Sequence, residues 1–87
     1  MEDVFLKGLP RIDLHGFDSQ SAYVATNDFL NENLILGNSK ILIVHGKGTG
    51  TIKRIVHSTL QKRKEVLKYH TDNNNDGCTI VYLILDK

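Results

Sequence analysis

The run Ile41-Leu42-Ile43-Val44 constrains this chain more than any other stretch. A half-buried strand alternates apolar and polar residues, and this one does not. A short β-branched-rich run of this kind marks a strand covered on both faces, most simply a central parallel one. Its flanks agree. Upstream, Ala22, Ala25, Thr26, Phe29 and Leu30 recur at spacings of three and four, which gives a helix one inward face. Asp18 or Ser19 is placed to cap that helix, and Gly37-Asn38 to stop it after Leu36. Downstream, Ile52, Ile55, Val56, Thr59 and Leu60 form a second buried stripe, on a helix from about Thr51 to Arg63. Lys53, Arg54, His57, Gln61, Lys62 and Lys64 fall largely outside it.

The remaining elements are shorter. Arg11-Ile12-Asp13-Leu14-His15 alternates as a half-buried strand does, with Pro10 before it and Gly16 after it. Val66 to Tyr69 reads as a third strand, residues 73–77 as a turn, and Thr79 to Leu85 as a final strand. The order βαβαββ predicts an α/β two-layer sandwich: a mixed sheet with two helices packed on it and right-handed crossovers. A chain of 87 residues holds one domain. That domain is expected over residues 10–87, with 1–9 as an N-terminal extension. Within the extension, Val4-Phe5-Leu6 is expected to cover the sheet or to pair with a second copy, so the chain would be a monomer or a weak homodimer.

Composition closes off several classes. No apolar run nears 18 residues, so no membrane partner is expected. Met1-Glu2-Asp3 leads into no long apolar stretch, unlike a secretory signal. The single cysteine, Cys78, has no partner for an internal disulfide, and a reducing cytoplasm is the expected home. The net charge of +1 conceals an imbalance: residues 40–70 carry eight Lys and Arg against Glu65 alone, while residues 1–36 are net negative. Such a field is directed at an anion, most simply a phosphate backbone, unless the lysines only solvate a helix face.

In sheets with parallel strands, ligands bind beyond the carboxyl ends of the strands. Two such ends are punctuated alike here, Asp13-Leu14-His15-Gly16 and His45-Gly46-Lys47-Gly48-Thr49-Gly50. If the two strands are neighbours, Asp13, His15 and His45 converge on one rim. The glycine loop opens into a helix, whose free amides and partial positive charge suit an anion, and Lys47 adds a mobile cation. The loop lacks the Gly-Lys-Ser/Thr ending of a Walker A motif, and Thr51 stands where the dinucleotide fingerprint needs a third glycine. His57 and His70 read as surface residues.

Together the two motifs resemble those of the Smr (small MutS-related) domain: Ile12-Asp13-Leu14-His15-Gly16, then His45-Gly46-Lys47-Gly48-Thr49-Gly50. Ala22, Phe29 and Leu30 in the first helix, Ile52-Lys53 after the loop, and Gly77-Cys78-Thr79-Ile80-Val81-Tyr82-Leu83 at the end extend the likeness over residues 10–85. Two features depart from the family pattern. Gln20-Ser21 replaces an early acidic residue, and Asn-Asn-Asn-Asp-Gly replaces a glycine-rich stretch before the last strand. The resemblance implies an α/β sandwich that binds DNA or RNA, with endonuclease activity in many members, some on messenger RNA at stalled ribosomes. It implies catalytic roles for Asp13 and His15 and substrate binding by His45 to Gly50. The ATPase and clamp regions of MutS-like proteins are missing, so a stand-alone domain or a fragment is expected.

The expected chemistry is therefore phosphodiester cleavage of low sequence specificity. Asp13, His15 and His45 would be catalytic, while Gly46, Lys47, Gly48, Thr49, Gly50, Lys53 and Arg54 hold phosphate. RNA supplies its own 2′-hydroxyl nucleophile; cleavage of DNA would call on water and a Mg²⁺ at Asp13. No resident metal site is expected. The alternative is a non-catalytic module that docks on nucleic acid or a ribosome.

Overall fold

A computed structural model describes residues 8–85. Its elements are β1 (Arg11–Asp13), α1 (Ser19–Leu36), β2 (Lys40–Val44), α2 (Thr51–Gln61), β3 (Val66–Thr71) and β4 (Cys78–Leu83). They form one four-stranded sheet in the order β1-β2-β4-β3. β1 runs parallel to β2; β4 is antiparallel to both β2 and β3. The two-layer α/β sandwich read from the sequence is what the chain forms.

Period-two alternation sorts the sheet residues. Ile41 and Ile43 of β2, with Val81 and Leu83 of β4, join Ala22, Phe29 and Leu30 of α1 and Val56 and Leu60 of α2 in the main core. Both helices thus pack on one face. Leu42, Cys78 and Ile80 form a second buried cluster on the other face. β2 is central and buried on both faces as expected, but only its β1 side is parallel. The slot beside it is filled by β4, and the parallel partner β3 lies one strand further out. The segment Val4-Phe5-Leu6 lies outside the described residues.

Local chemistry sets the ends. The Asp18 carboxylate accepts the Ser21 amide hydrogen at 2.7 Å and caps α1, which lowers its pKa. Gly37, at φ 78°, ends that helix in the left-handed conformation. Asn33 is buried in α1 beyond the apolar stripe: its amide donates to the Phe29 carbonyl at 2.8 Å, and its side-chain oxygen accepts from Asn38 at 2.9 Å. β1 ends at Asp13, two residues short of expectation, because the Asp13 carboxylate takes the His15 amide hydrogen at 2.9 Å and turns the chain. α2 stops at Gln61, two residues early, where the Lys62 and Arg63 amides bond three residues back.

The basic half does not present one face. Arg63 donates to Asn27 at 2.8 Å, to Asn31 at 2.7 Å and to Glu65 at 3.1 Å, tying α1 to the end of α2. The Glu65 backbone amide first, and this Arg63 contact second, hold the Glu65 pKa down. Lys40 and Lys68 lie over the Tyr82 ring on the face away from the helices. Lys47, Lys53 and Arg54 remain near the glycine loop.

Candidate functional site

The parallel pairing of β1 with β2 puts Asp13 opposite Val44, so the two strands end side by side. The turn at His15-Gly16 and the loop after β2 then share one open cleft of about 210 Å³. His15, Gly16, His45 to Thr51, Ile52 and Lys53 line it. The ring of His15 reaches Gly46 closely: a Cβ built on that glycine would lie 3.4 Å from His15 Cδ2.

The loop is held from below by the start of β4. The amides of His45 and Gly46 both donate to the Gly77 carbonyl, at 2.8 and 3.0 Å. A Cβ on Gly77 would come within 3.2 Å of Lys47 Cγ and 3.3 Å of the Gly46 carbonyl carbon, so a larger residue would crowd the two segments by a few tenths of an ångström. Lys47 extends to Asp76 at 3.6 Å, but both side chains are mostly exposed and the pair is weak. Gly50, at φ 86°, turns the chain into α2, and no side chain caps that helix. The Thr51 amide donates to Thr49 Oγ1 at a long 3.4 Å, and the amides that follow it are open to an anion.

The predicted site residues separate into three groups. His15 and the loop Gly46, Lys47, Gly48, Thr49, Gly50 and Lys53 gather at the cleft. Arg54 lies just outside, in a neighbouring groove with Gly50, Lys53, His57, Ser58 and Gln61. Asp13 is exposed beside the cleft, and the hydrogen bond it makes is to the His15 backbone, not to the imidazole. Its role here is to shape the turn that aims His15.

His45 lines the cleft yet is only 4% exposed, and both its ring nitrogens have partners inside the protein. Nδ1 meets the Gly46 carbonyl at 3.1 Å and Nε2 meets the Thr79 hydroxyl at 2.8 Å. Burial pushes its pKa below the ordinary histidine value. His57 is not a surface residue as the sequence suggested. It is half-buried, its Nε2 also lies 2.8 Å from Thr79 Oγ1, and burial and the nearby His45 lower its pKa. Its position three residues before Leu60 places it at the edge of the apolar stripe, which is the signal that could have found it. Thr79 shares the parity of Val81 and Leu83, which points it at the helices. His70 is exposed, beside Tyr82 on the far face.

Among the described residues, no three His, Cys, Asp or Glu side chains gather where they could hold a metal ion. Asp13 offers a single carboxylate, with Oδ1 engaged by an amide and Oδ2 free, and one carboxylate alone does not make a resident divalent-cation site. Nor is any helix among the described residues long and apolar enough to cross a membrane.

The family model of the Smr domain matches residues 12–84, which include both strand ends, the loop and β4. This chain belongs to the Smr domain family. This Smr domain is 34% identical over 73 residues to an endonuclease MutS2 of Clostridium acetobutylicum, covering 84% of this chain and 9% of that protein. It is 31% identical over 78 residues to an endonuclease MutS2 of Clostridium perfringens, covering 90% and 10%. The Smr domain thus spans about a tenth of the length of these curated relatives. Among solved structures, the Smr domain of Thermus thermophilus MutS2 superposes with a TM-score of 0.83 at 28% identity, covering 86% of this chain and 98% of that one. YdaL, a stand-alone small MutS-related protein from Escherichia coli, shares the fold with a TM-score of 0.73 at 24% identity, over 84% of this chain and 63% of that one.

Proposed function

We propose that this Smr domain, residues 10–87 with 1–9 as an extension, grips a nucleic-acid backbone at the glycine loop and cleaves a phosphodiester there. One observation carries the reading: the His15 ring stands against Gly46 at the rim of a cleft floored by the loop and flanked by Lys47 and Lys53. The loop amides and the two lysines would hold a phosphate and stabilise the charge that grows on it in the transition state. His15 would move the proton, as base toward the attacking hydroxyl or as acid toward the leaving oxygen. Asp13 acts through the backbone, by fixing the turn that carries His15. The endonuclease name of the MutS2 relatives supports the same reading. A reducing cytoplasm is the compartment that this substrate and the lone thiol imply.

Labelled RNA and DNA incubated with purified protein test this, with and without chelator. His15→Ala should lower the cleavage rate about 100-fold or more, the usual span for a lost proton carrier. Asp13→Ala should cost less. Cleavage equal to the parent in His15→Ala would refute the assignment. A cyclic phosphate end identifies attack by the 2′-hydroxyl; a 5′-phosphate end identifies water.

A second reading is favoured by the engagement of His45. With both His45 nitrogens tied to protein groups, His15 is the one proposed imidazole left open at the cleft, and Asp13 keeps only Oδ2 free. A site so equipped also suits a module that binds RNA, including ribosomal RNA, without cutting it. Intact substrate together with binding that weakens steeply as salt rises would establish that reading.

A further inference from the structure

Thr79 is fully buried, and its hydroxyl lies 2.8 Å from Nε2 of His45 and 2.8 Å from Nε2 of His57. The two rings stand edge to face with centroids 5.9 Å apart. A hydroxyl has one hydrogen and two lone pairs, so it can donate to only one of the two imidazoles and must accept from the other if it does. The far end of the chain decides the direction. His45 Nδ1 faces the Gly46 carbonyl oxygen at 3.1 Å, and a carbonyl only accepts, so Nδ1 carries the hydrogen. In the neutral ring Nε2 is then bare and takes the Thr79 hydrogen, and Thr79 Oγ1 accepts from His57 Nε2–H. Donation runs one way, from His57 to Thr79 to His45 to Gly46. Reversed, His45 would be left with a lone pair on Nδ1 aimed at the lone pairs of the Gly46 oxygen.

Gly46 opens the glycine loop. A trans peptide unit points its carbonyl and its amide in opposite directions, so a Gly46 carbonyl held toward His45 turns the Lys47 amide hydrogen away from that ring. We propose that His57 is a positioning residue for the loop: through Thr79 it keeps His45 in the tautomer that pins the Gly46 carbonyl and thereby aims the Lys47 amide. The consequence for phosphate binding rests on the function proposed above; the hydrogen-bond chain does not.

The surroundings leave the chain neutral at pH 7. Burial is the main cause holding both imidazoles below the ordinary value, with Lys53 of α2 acting the same way on each. Asp76 opposes the shift at His45, and the ring of Tyr69 on β3 packs 4.9 Å from that of His57. Acid should reverse the direction. A proton taken up at His57 Nδ1 moves the Nε2 hydrogen to Thr79 Oγ1, whose own hydrogen passes to His45 Nε2. One proton has entered, His45 is the cation, and His57 is left neutral with its hydrogen on Nδ1.

Nitrogen-15 imidazole NMR of the full chain reads this directly, without nucleic acid. At pH 7.5 the parent should show His45 with its hydrogen on Nδ1 and His57 with its hydrogen on Nε2. On acidification, His57 should exchange Nε2–H for Nδ1–H at the midpoint of the His45 transition. His57→Glu puts an acceptor where a donor stood, so His45 should carry hydrogen on Nε2 and the Lys47 amide resonance should shift. Thr79→Ser should behave as the parent, and in Thr79→Val the His57 hydrogen exchange should no longer track the His45 transition. His45 found with a bare Nδ1 in the parent, or His45 and Lys47 unchanged in a folded His57→Glu variant, would overturn the proposal. These readouts stand or fall independently of whether the parent binds or cleaves RNA.

Discussion

The three glycines of the loop should respond differently to the same substitution. Gly46 and Gly50 adopt φ of 83° and 86°, in the left-handed region. An alanine there pays roughly 1–2 kcal/mol of backbone strain, from the clash of Cβ with the following carbonyl. For a domain of this size that should lower the melting temperature by about 4–8 °C per kcal/mol. Gly48 is not in that region, and a Cβ built on it meets nothing within 4 Å. Gly48→Ala should therefore leave stability within about 0.5 kcal/mol of the parent, or raise it slightly by stiffening the unfolded chain. Its methyl group would nevertheless stand in the cleft that Gly48 lines, where the proposed phosphate would approach the loop amides. Losing one charge-assisted bond there would weaken binding about tenfold. Thermal melts and titration of a labelled RNA at fixed salt, run on the three variants, give both quantities. Gly48→Ala as destabilised as Gly46→Ala would refute the backbone argument. A fully stable Gly48→Ala with parental RNA affinity would refute the placement of the phosphate.

Three further outcomes follow from the same geometry. Because burial lowers the pKa of both His45 and His57, the unfolded chain binds more protons than the fold below about pH 7. Stability should be complete above about pH 7.5 and fall as pH drops through about 6.5 toward the folded values, with His57→Gln flattening the slope in denaturant titrations. The depressed carboxylates Asp18 and Glu65 act in a separate, lower window, losing their contribution only as pH falls below about 4.5. Cys78 is buried and its thiol pKa is raised, so iodoacetamide at pH 7.5 should label it far more slowly in the fold than in denaturant. Arg63→Met should lower stability by about 1–3 kcal/mol without changing RNA affinity, since that guanidinium serves the two helices and not the cleft.

Much of the fold was legible because local signals agreed. The Asp18 cap, the Gly37 stop and the unbroken apolar run of β2 each report a backbone state that the sequence dictates alone. The order of strands across the sheet was not written locally, and neither was the antiparallel entry of β4 between β2 and β3. The motif residues His15 and His45 to Lys53 came together because two adjacent parallel strands end at one rim. His57 reads as a surface residue and Thr79 as an ordinary strand residue, because the hydrogen bond that joins them is written in neither segment. Their meaning arises only when a helix crosses a strand formed more than 20 residues later. Asp13 carries a part that its type did not announce: one oxygen of the carboxylate ends a strand by accepting the His15 amide hydrogen.

The last strand in sequence sits in the interior of the sheet, and the residues that begin it, Gly77 to Thr79, anchor the loop. Both histidine-glycine pairs precede β4 in the sequence, yet the second is held by a carbonyl at the start of that strand. The cleft is assembled only when that final segment slots between its two neighbours, so a product ending before Gly77 would lack the carbonyl that holds the His45 and Gly46 amides.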